Sequence, residues 1–115
     1  MRTAQPARHG RPRRTKYGAV RTTVDNIVFA SKKEAKRYSE LKLLEKAQVI
    51  TQLFLQPRFD LYVHGVKIGS YVADFGYFSC KGATIIEDVK GMKTPLYRWK
   101  KKHVEAQYGI QIREV

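Results

Sequence analysis

Acidic residues and cysteines are scarce in this chain, and each shortage narrows the classes of protein to which it can belong. Only ten Asp and Glu oppose 23 Lys and Arg among 115 residues, so the formal net charge at pH 7 is +13. An excess of positive charge favours a polyanionic partner, most commonly nucleic acid, although it can also serve solubility alone. The only cysteine is Cys80, which excludes an internal disulfide and a zinc site made from several cysteines of one chain.

Long apolar runs are also missing. No stretch approaches the roughly 18 apolar residues that a membrane-spanning helix needs, and the N-terminus lacks the apolar segment of a signal peptide. We therefore expect a cytoplasmic protein without a membrane partner. A chain of 115 residues is most simply one domain, which we place at residues 17–115.

Residues 1–16 are basic and contain no acid and almost no apolar side chain. Such a segment cannot bury enough surface to offset the entropy lost on ordering, so we expect a disordered tail. Its cations can bind phosphates and gain affinity by releasing counterions, or the tail can be a solvated terminus without a role. The cations that we assign to phosphate contact are Arg11, Arg13, Arg14 and Lys16.

The remaining residues alternate between patterns typical of strands and of helices. A hairpin is predicted before residue 30, with its turn at Asp25-Asn26, and Ser31 followed by Glu34 predicts the capped start of a first helix. A second helix is predicted from Thr94-Pro95 to Tyr108-Gly109. Further strands are predicted at 49–56, 59–63, 67–78, 83–89 and 110–115. This order indicates an α/β or α+β fold in which helices flank a mixed central β-sheet.

Two carboxylates, Asp74 and Asp88, lie inside apolar, strand-like runs, where an ionised carboxylate without a partner costs several kcal/mol. Side chains alternate along a strand, so Asp88 and Lys90 share one face while Glu87 points to the other. If the runs pair as a hairpin around residues 79–82, Asp74 meets Asp88. Two converging carboxylates repel each other unless a divalent cation lies between them, and oxygen ligands select Mg²⁺ or Mn²⁺.

These residues alone leave two interpretations open. In one, Mg²⁺ bound by Asp74 and Asp88 would support phosphodiester hydrolysis, with Lys90 orienting or deprotonating water or offsetting negative charge. In the other, Lys90 forms an ordinary salt bridge with Asp88 or Asp74 at a sheet edge. Spacing does not separate these two interpretations.

The order of several short motifs resembles that of the PD-(D/E)XK nuclease superfamily. The motifs are Ser31-Lys32-Lys33-Glu34-Ala35, Gln56-Pro57 after a strand, Asp74, and Glu87-Asp88-Val89-Lys90-Gly91. Small phage-encoded members are the most similar, with phage junction-resolving endonucleases and the endonuclease subunit of cut-and-paste transposons more distant. The resemblance covers about residues 17–115 and implies a restriction-endonuclease-like core of order α-β-β-β-α-β.

The resemblance also implies a role for individual residues. Asp74 corresponds to the first acid of the motif, Asp88 to the second and Lys90 to its lysine. Glu34 corresponds to the acid that many members carry on the first helix. Together with the backbone carbonyl of Val89, the three acids would bind Mg²⁺, for which Mn²⁺ can substitute. The chain departs from the motif because an alanine, and not a proline, precedes Asp74.

Basic residues near these motifs are candidates for contact with DNA. We assign phosphate contact to Lys33, Lys93, Arg98, Lys100, Lys101 and Lys102. Gln56 is a candidate for the cleft or an ordinary amide at a strand end. The apolar residues of the second helix form two faces, Leu96 with Trp99 and Tyr97 with Val104. We expect both to pack in the core, and the alternative is that they stack on bases.

The resemblance leads to a functional expectation. It implies a Mg²⁺-dependent DNA endonuclease of phage or prophage origin that acts in the cytoplasm of a bacterial host. Branched DNA such as a Holliday junction is the substrate class that the junction-resolving relatives suggest, and symmetrical resolution would require a homodimer. The alternative is a non-catalytic nucleic-acid-binding protein that retains the nuclease fold.

Overall fold

The computed structural model describes residues 20–115, so the predicted tail at 1–16 lies outside the described residues. The helices are α1 (Lys32–Lys46) and α2 (Pro95–Tyr108). The strands are β1 (Thr22–Val24), β2 (Ile27–Phe29), β3 (Ile50–Leu55), β4 (Arg58–Val63), β5 (Val66–Val72), β6 (Phe75–Ser79), β7 (Thr84–Asp88) and β8 (Ile112–Glu114). Neither helix is long and apolar enough to cross a membrane, which holds for residues 20–115.

The protein has the α+β fold that the sequence predicts. Its central sheet has the order β3-β6-β7-β8, and it is mixed because β7 and β8 are parallel while the other neighbours are antiparallel. One apolar cluster packs α1 against Phe75 and Tyr77 on one face of this sheet. A second cluster packs α2 against Ile86 and Ile112 on the other face. The hairpins β1-β2 and β4-β5 form separate two-stranded sheets.

The start of α1 follows the predicted capping pattern. The Ser31 hydroxyl accepts a hydrogen bond of 3.1 Å from the amide of Glu34. The Glu34 carboxylate in turn accepts one of 3.4 Å from the amide of Ala30. The first bond satisfies an amide that the first helical turn leaves without a partner, and the second ties Glu34 to the residue before the cap. The cap therefore fixes the start of α1 and the position of Glu34 in its first turn.

The predicted strand at 67–78 is wrong as a single strand. It consists of β5, which pairs with β4, and β6, which pairs with β3 and β7. The chain leaves one sheet and enters the other at Ala73 and Asp74, which lie between the two strands. Here the amide of Ala73 donates to the carbonyl of Pro57 and the amide of Gln56 donates to the carbonyl of Asp74, each at 3.0 Å. The apolar pattern continues across the break, so no periodic signal in the sequence marks it.

The expectation that both apolar faces of α2 pack in the core is also wrong. Tyr97 and Val104 are buried, but the Leu96 and Trp99 side chains are 60% and 50% exposed. The reason lies in how α2 meets the β4-β5 hairpin. The Gln107 side chain accepts a hydrogen bond of 2.9 Å from the amide of Tyr62 and donates one of 3.1 Å to a β4 carbonyl. Only the second half of this side of α2 contacts the hairpin, so Leu96 and Trp99 in the first half stay exposed to solvent.

Glu87 is fully buried on the face of the sheet that α1 covers. The Arg37 guanidinium donates two hydrogen bonds to its carboxylate, of 2.8 Å from Nε and 2.6 Å from Nη2. The Tyr77 hydroxyl donates a third, and Arg113 Nη1 lies 3.9 Å from Oε2. Arg37 also pairs with the exposed Glu40 at 3.1 Å. The buried charge of Glu87 is therefore satisfied by α1.

Replacing Arg37 by Ala should destabilise the protein by about 3 kcal/mol, because it leaves the buried Glu87 carboxylate without its bidentate partner. The measurement is the free energy of unfolding in urea, followed by circular dichroism. Glu40→Gln is the matched control, since it removes only the exposed partner of Arg37 and should cost less than about 1 kcal/mol. Equal stability of the two variants would show that the Arg37 to Glu87 pair does not anchor α1.

Candidate functional site

The Asp88 carboxylate is 1% exposed and lies on the opposite face of β7 from Glu87. One of its oxygens, Oδ2, accepts a hydrogen bond from the buried hydroxyl of Tyr71. The other, Oδ1, is buried and has no hydrogen-bond partner among the described residues. Its nearest cation is Lys90, whose Nζ lies 3.6 Å away. Asp88 therefore has an oxygen with unused capacity to bind a proton or a cation.

Asp74 lies beside Asp88 because β6 and β7 pair antiparallel. In their register Phe75 is opposite Glu87, and the amide of Asp74 donates to the carbonyl of Glu87 at 3.1 Å. The carboxylate of Asp74 accepts a hydrogen bond of 2.7 Å from the amide of Val89. The carboxyl groups of Asp74 and Asp88 are neighbours that form a hydrogen bond when one of them is protonated. The two acids singled out in the sequence are therefore direct neighbours.

This proximity changes the protonation of the pair. Burial, followed by the hydrogen bond with Asp74, raises the pKa of Asp88 to about 7. Burial also raises the pKa of Asp74. The Tyr71 hydroxyl and the Lys90 ammonium act in the opposite direction on the pKa of Asp88, but they do not outweigh burial. The Lys90 ammonium at 3.6 Å therefore offsets only part of the cost of burying Asp88.

Glu34 reaches the same place from the first turn of α1. Its carboxyl group is close enough to Asp74 to hydrogen-bond with it and to raise the pKa of that residue. Glu34 thus caps its helix and borders the acidic pair. Even so, no three His, Cys, Asp or Glu side chains within residues 20–115 are grouped as a ready-made metal site. Asp74 stands between Glu34 and Asp88, and the three carboxylates do not yet converge on one point.

Lys90 is held over the acidic pair by contacts on two sides. Its ammonium lies 4.4 Å from the centre of the Tyr97 ring, at cation–π distance. Its carbonyl accepts a hydrogen bond of 3.3 Å from Nζ of Lys33, the residue before Glu34. The Tyr97 hydroxyl donates to Glu114 at 2.7 Å, which fixes the ring. Lys90 is therefore positioned, while its ammonium stays only loosely bound to Asp88.

The other candidate residues are distributed around this site. Gln56 is exposed and approaches the site through its backbone bond to Asp74, and not through its side chain. Lys93 pairs with Glu114 at 3.0 Å, and Lys101 pairs with Glu105 at 3.6 Å. Within residues 20–115, the cations of α2 without an ion pair are Arg98, Lys100 and Lys102. Arg11, Arg13, Arg14 and Lys16 lie outside the described residues.

Sequence reasoning missed the two tyrosines that border the acids. Tyr71 donates to Asp88 and Tyr97 lies under Lys90, and their rings are 6.3 Å apart. The chain has seven tyrosines, and nothing in their spacing marks these two. The signal that could have found them is chemical. A buried acid needs a neutral donor when no cation is close, and Tyr is the apolar side chain that supplies one.

Comparison with known proteins gives the family of the chain. A family model described as protein of unknown function (DUF1064) matches residues 14–114. The chain belongs to the DUF1064 family. No curated protein and no solved structure matches it. The family description names no activity, so for this DUF1064 protein the chemistry of the site has to carry the functional argument.

Replacing Asp88 by Asn should stabilise the protein at about pH 8 and leave its stability little changed at about pH 4. The folded-state pKa of Asp88 is about 7, whereas an unfolded chain gives an Asp a pKa of about 3.9. The wild type therefore loses stability as pH rises between these values, because the unfolded chain releases a proton that the folded protein keeps. The Asn amide replaces the proton and can donate to Asp74. Urea unfolding at both pH values is the measurement.

Asp60→Asn is the matched control for this prediction. Asp60 is partly exposed and pairs with Lys67 at 3.4 Å, so its loss should give no gain in stability at either pH. An Asp88→Asn variant that is less stable than the wild type at about pH 8 would contradict the electrostatic account of the pair.

Proposed function

We propose that this protein is a metal-dependent endonuclease that hydrolyses phosphodiester bonds in DNA. The observation that carries the proposal is the buried Asp88 carboxylate, which lies against Asp74 and has an oxygen without a hydrogen-bond partner. Buried carboxylates with perturbed pKa values cluster at functional sites, because keeping them costs stability that the fold alone would not require. The order Glu34, Asp74, Asp88, Lys90 supports the proposed likeness to the PD-(D/E)XK nucleases.

The donor set fits Mg²⁺ or Mn²⁺. Carboxylate oxygens are the ligands that these hard cations prefer, and the set has no cysteine or histidine that would favour a softer metal. Glu34, Asp74 and Asp88 would hold the ion together with the backbone carbonyl of Val89. Small movements of the Glu34 and Asp88 side chains would be needed, since the three acids are not grouped as a finished site. When bound, the ion would supply charge stabilisation and an activated water.

The remaining side chains have roles that follow from their contacts. Tyr71 holds one oxygen of Asp88 and leaves the other free for a ligand. Lys90, displaced from Asp88 by the ion, would stay over the Tyr97 ring and present its ammonium to the phosphate or the attacking water. Lys33, which is tied to the Lys90 carbonyl, would add positive charge beside the phosphate. These residues thus position a phosphate and offset its charge.

DNA is the proposed substrate because of the charge around the site. Arg98, Lys100 and Lys102 carry no ion pair within residues 20–115 and follow the site along α2. The basic N-terminal tail would add non-specific contacts. The likeness to junction-resolving endonucleases favours branched DNA, for which a homodimer would be required. A cytoplasmic location in a bacterial host, with phage or prophage origin, is part of the same proposal.

A second candidate function rests on the Lys90 to Asp88 contact at 3.6 Å. If that contact persists when Mg²⁺ is present, Asp74 and Asp88 do not bind the ion. The protein would then be a non-catalytic nucleic-acid-binding member of the fold. Its basic surface would serve adhesion alone.

The test is nicking of supercoiled, linear, single-stranded and four-way-junction DNA in the presence of Mg²⁺. The wild type should cleave at least one of these substrates. Lys90→Met should lose about 100-fold in rate or more because it removes charge stabilisation, and Asp88→Asn should be inactive. Both variants should keep their affinity for DNA measured without metal.

Asp60→Asn is the matched control and should cleave like the wild type, since Asp60 lies on the β4-β5 hairpin away from the acidic pair. A second readout does not depend on turnover. Mg²⁺ should raise the thermal midpoint of the wild type at about pH 8 but not that of Asp88→Asn. Intact binding of DNA by a wild type that cleaves nothing and gains no stability from Mg²⁺ would favour the second candidate instead.

A further inference from the structure

We propose that Trp99 is a stacking platform for an unpaired base of single-stranded nucleic acid, with Leu96 extending its apolar surface. Both side chains lie on the outer face of α2, where they are 50% and 60% exposed. They are neighbours because residues three apart share one face of a helix. Single exposed apolar residues are common on protein surfaces, so this pair becomes informative only through its surroundings.

The orientation of Trp99 is fixed by its neighbour one turn later. The ring centroids of Trp99 and His103 are 5.6 Å apart with the planes at 51°. A ring nitrogen of His103 lies 3.1 Å from the carbonyl of Tyr62, which ties it to the β4-β5 hairpin. One side of the indole is therefore braced while the rest is open to solvent. A braced aromatic ring loses little conformational entropy when a base stacks on it.

The charges around Trp99 select an anionic occupant. Lys102 lies three residues after Trp99. Arg98 lies four residues before Lys102, so these two cations form a row beside the indole. Lys100 lies on the other side of the ring. No acid precedes Glu105 in α2, and within residues 20–115 these three cations make no ion pair. An aromatic ring set between unpaired cations is the arrangement that binds a base together with its phosphates.

Single-stranded nucleic acid fits this surface better than duplex does. A base inside a duplex already stacks on both sides, whereas an unpaired base offers a free face to an exposed indole. A helix that projects one aromatic side chain can reach such a base without opening a duplex. The surface is convex, so it would support a strand that passes over it and would not enclose a ligand.

The proposed nuclease function would explain what the platform is for. The link between the platform and cleavage rests on that proposed function. Tyr97, two residues before Trp99, packs under Lys90 at the acidic pair. Residues two apart lie on nearly opposite sides of a helix, so the width of α2, roughly 10–12 Å with side chains, separates the indole from the site. A strand stacked on Trp99 would place a nearby phosphodiester at Asp88. The substrate would then be DNA with an unpaired segment, such as a flap or a branch.

Trp99 is the only tryptophan of the chain, so its fluorescence reports directly on the proposed contact. The experiment titrates the full chain carrying Asp88→Asn with oligo(dT), oligo(U) or a duplex, without divalent metal. Stacking should quench the emission with a single strand and leave it unchanged with duplex. A preference for oligo(dT) over oligo(U) would support the assignment to DNA, whereas a preference for oligo(U) would overturn it.

A second experiment uses fluorescence anisotropy to measure how Trp99 variants bind a labelled single strand. Trp99→Ala should weaken this binding about tenfold, and Trp99→Phe should restore most of it because an aromatic ring remains. Duplex binding should be the same in all three proteins. Leu43→Ala is the matched control, since Leu43 is an exposed apolar residue among lysines on α1 and its loss should change nothing.

Three results would overturn the platform. They are unquenched emission with saturating single strand, equal single-strand affinity of Trp99→Ala and the wild type, and concentration-dependent self-association that buries Trp99. Failure of the nuclease proposal is a different outcome. Quenching by a single strand in a protein that never cleaves DNA would leave the platform standing as a binding site.

Discussion

Strand β7 carries two consecutive carboxylates, Glu87 and Asp88, into the interior, and each needs a partner on its own face of the sheet. On one face Arg37 reaches in from α1 and satisfies Glu87 with two hydrogen bonds. On the other face Asp88 meets a second acid, Asp74, a tyrosine hydroxyl and a loosely placed lysine. The same strand therefore holds one charge that stabilises the fold and one that costs it stability.

The two faces are linked through α1. Arg37 lies one turn after Glu34, so the bond that neutralises Glu87 also fixes the turn from which Glu34 approaches Asp74. The cap at Ser31 sets the start of that turn. Positioning of the third acid thus depends on a cap and on a buried ion pair, neither of which would bind a substrate. This dependence explains why a stabilising element of the fold lies directly behind the candidate site.

Much of this arrangement follows from local rules in the sequence. The side-chain period of a strand separates Glu87 from Asp88, and capping chemistry places Ser31 and Glu34 at a helix start; the structure has both. Long-range choices do not follow from local rules. Neither the break at Ala73 and Asp74 nor the choice of Arg37 as partner of Glu87 has a periodic signal. The buried face of α2 depends on contacts with a hairpin far away in sequence, so helical spacing alone does not predict that Trp99 is exposed.

The central claim is that Asp74 and Asp88 are kept together to bind a divalent cation. The most direct measurement is a crystal structure of the protein soaked with Mn²⁺, with the ion located by its anomalous scattering. The account predicts a peak within about 2.2 Å of carboxylate oxygens of both residues, with Nζ of Lys90 moved away from Asp88. A fully occupied Mn²⁺ elsewhere, with Lys90 still paired to Asp88 and no peak at the pair, would contradict it.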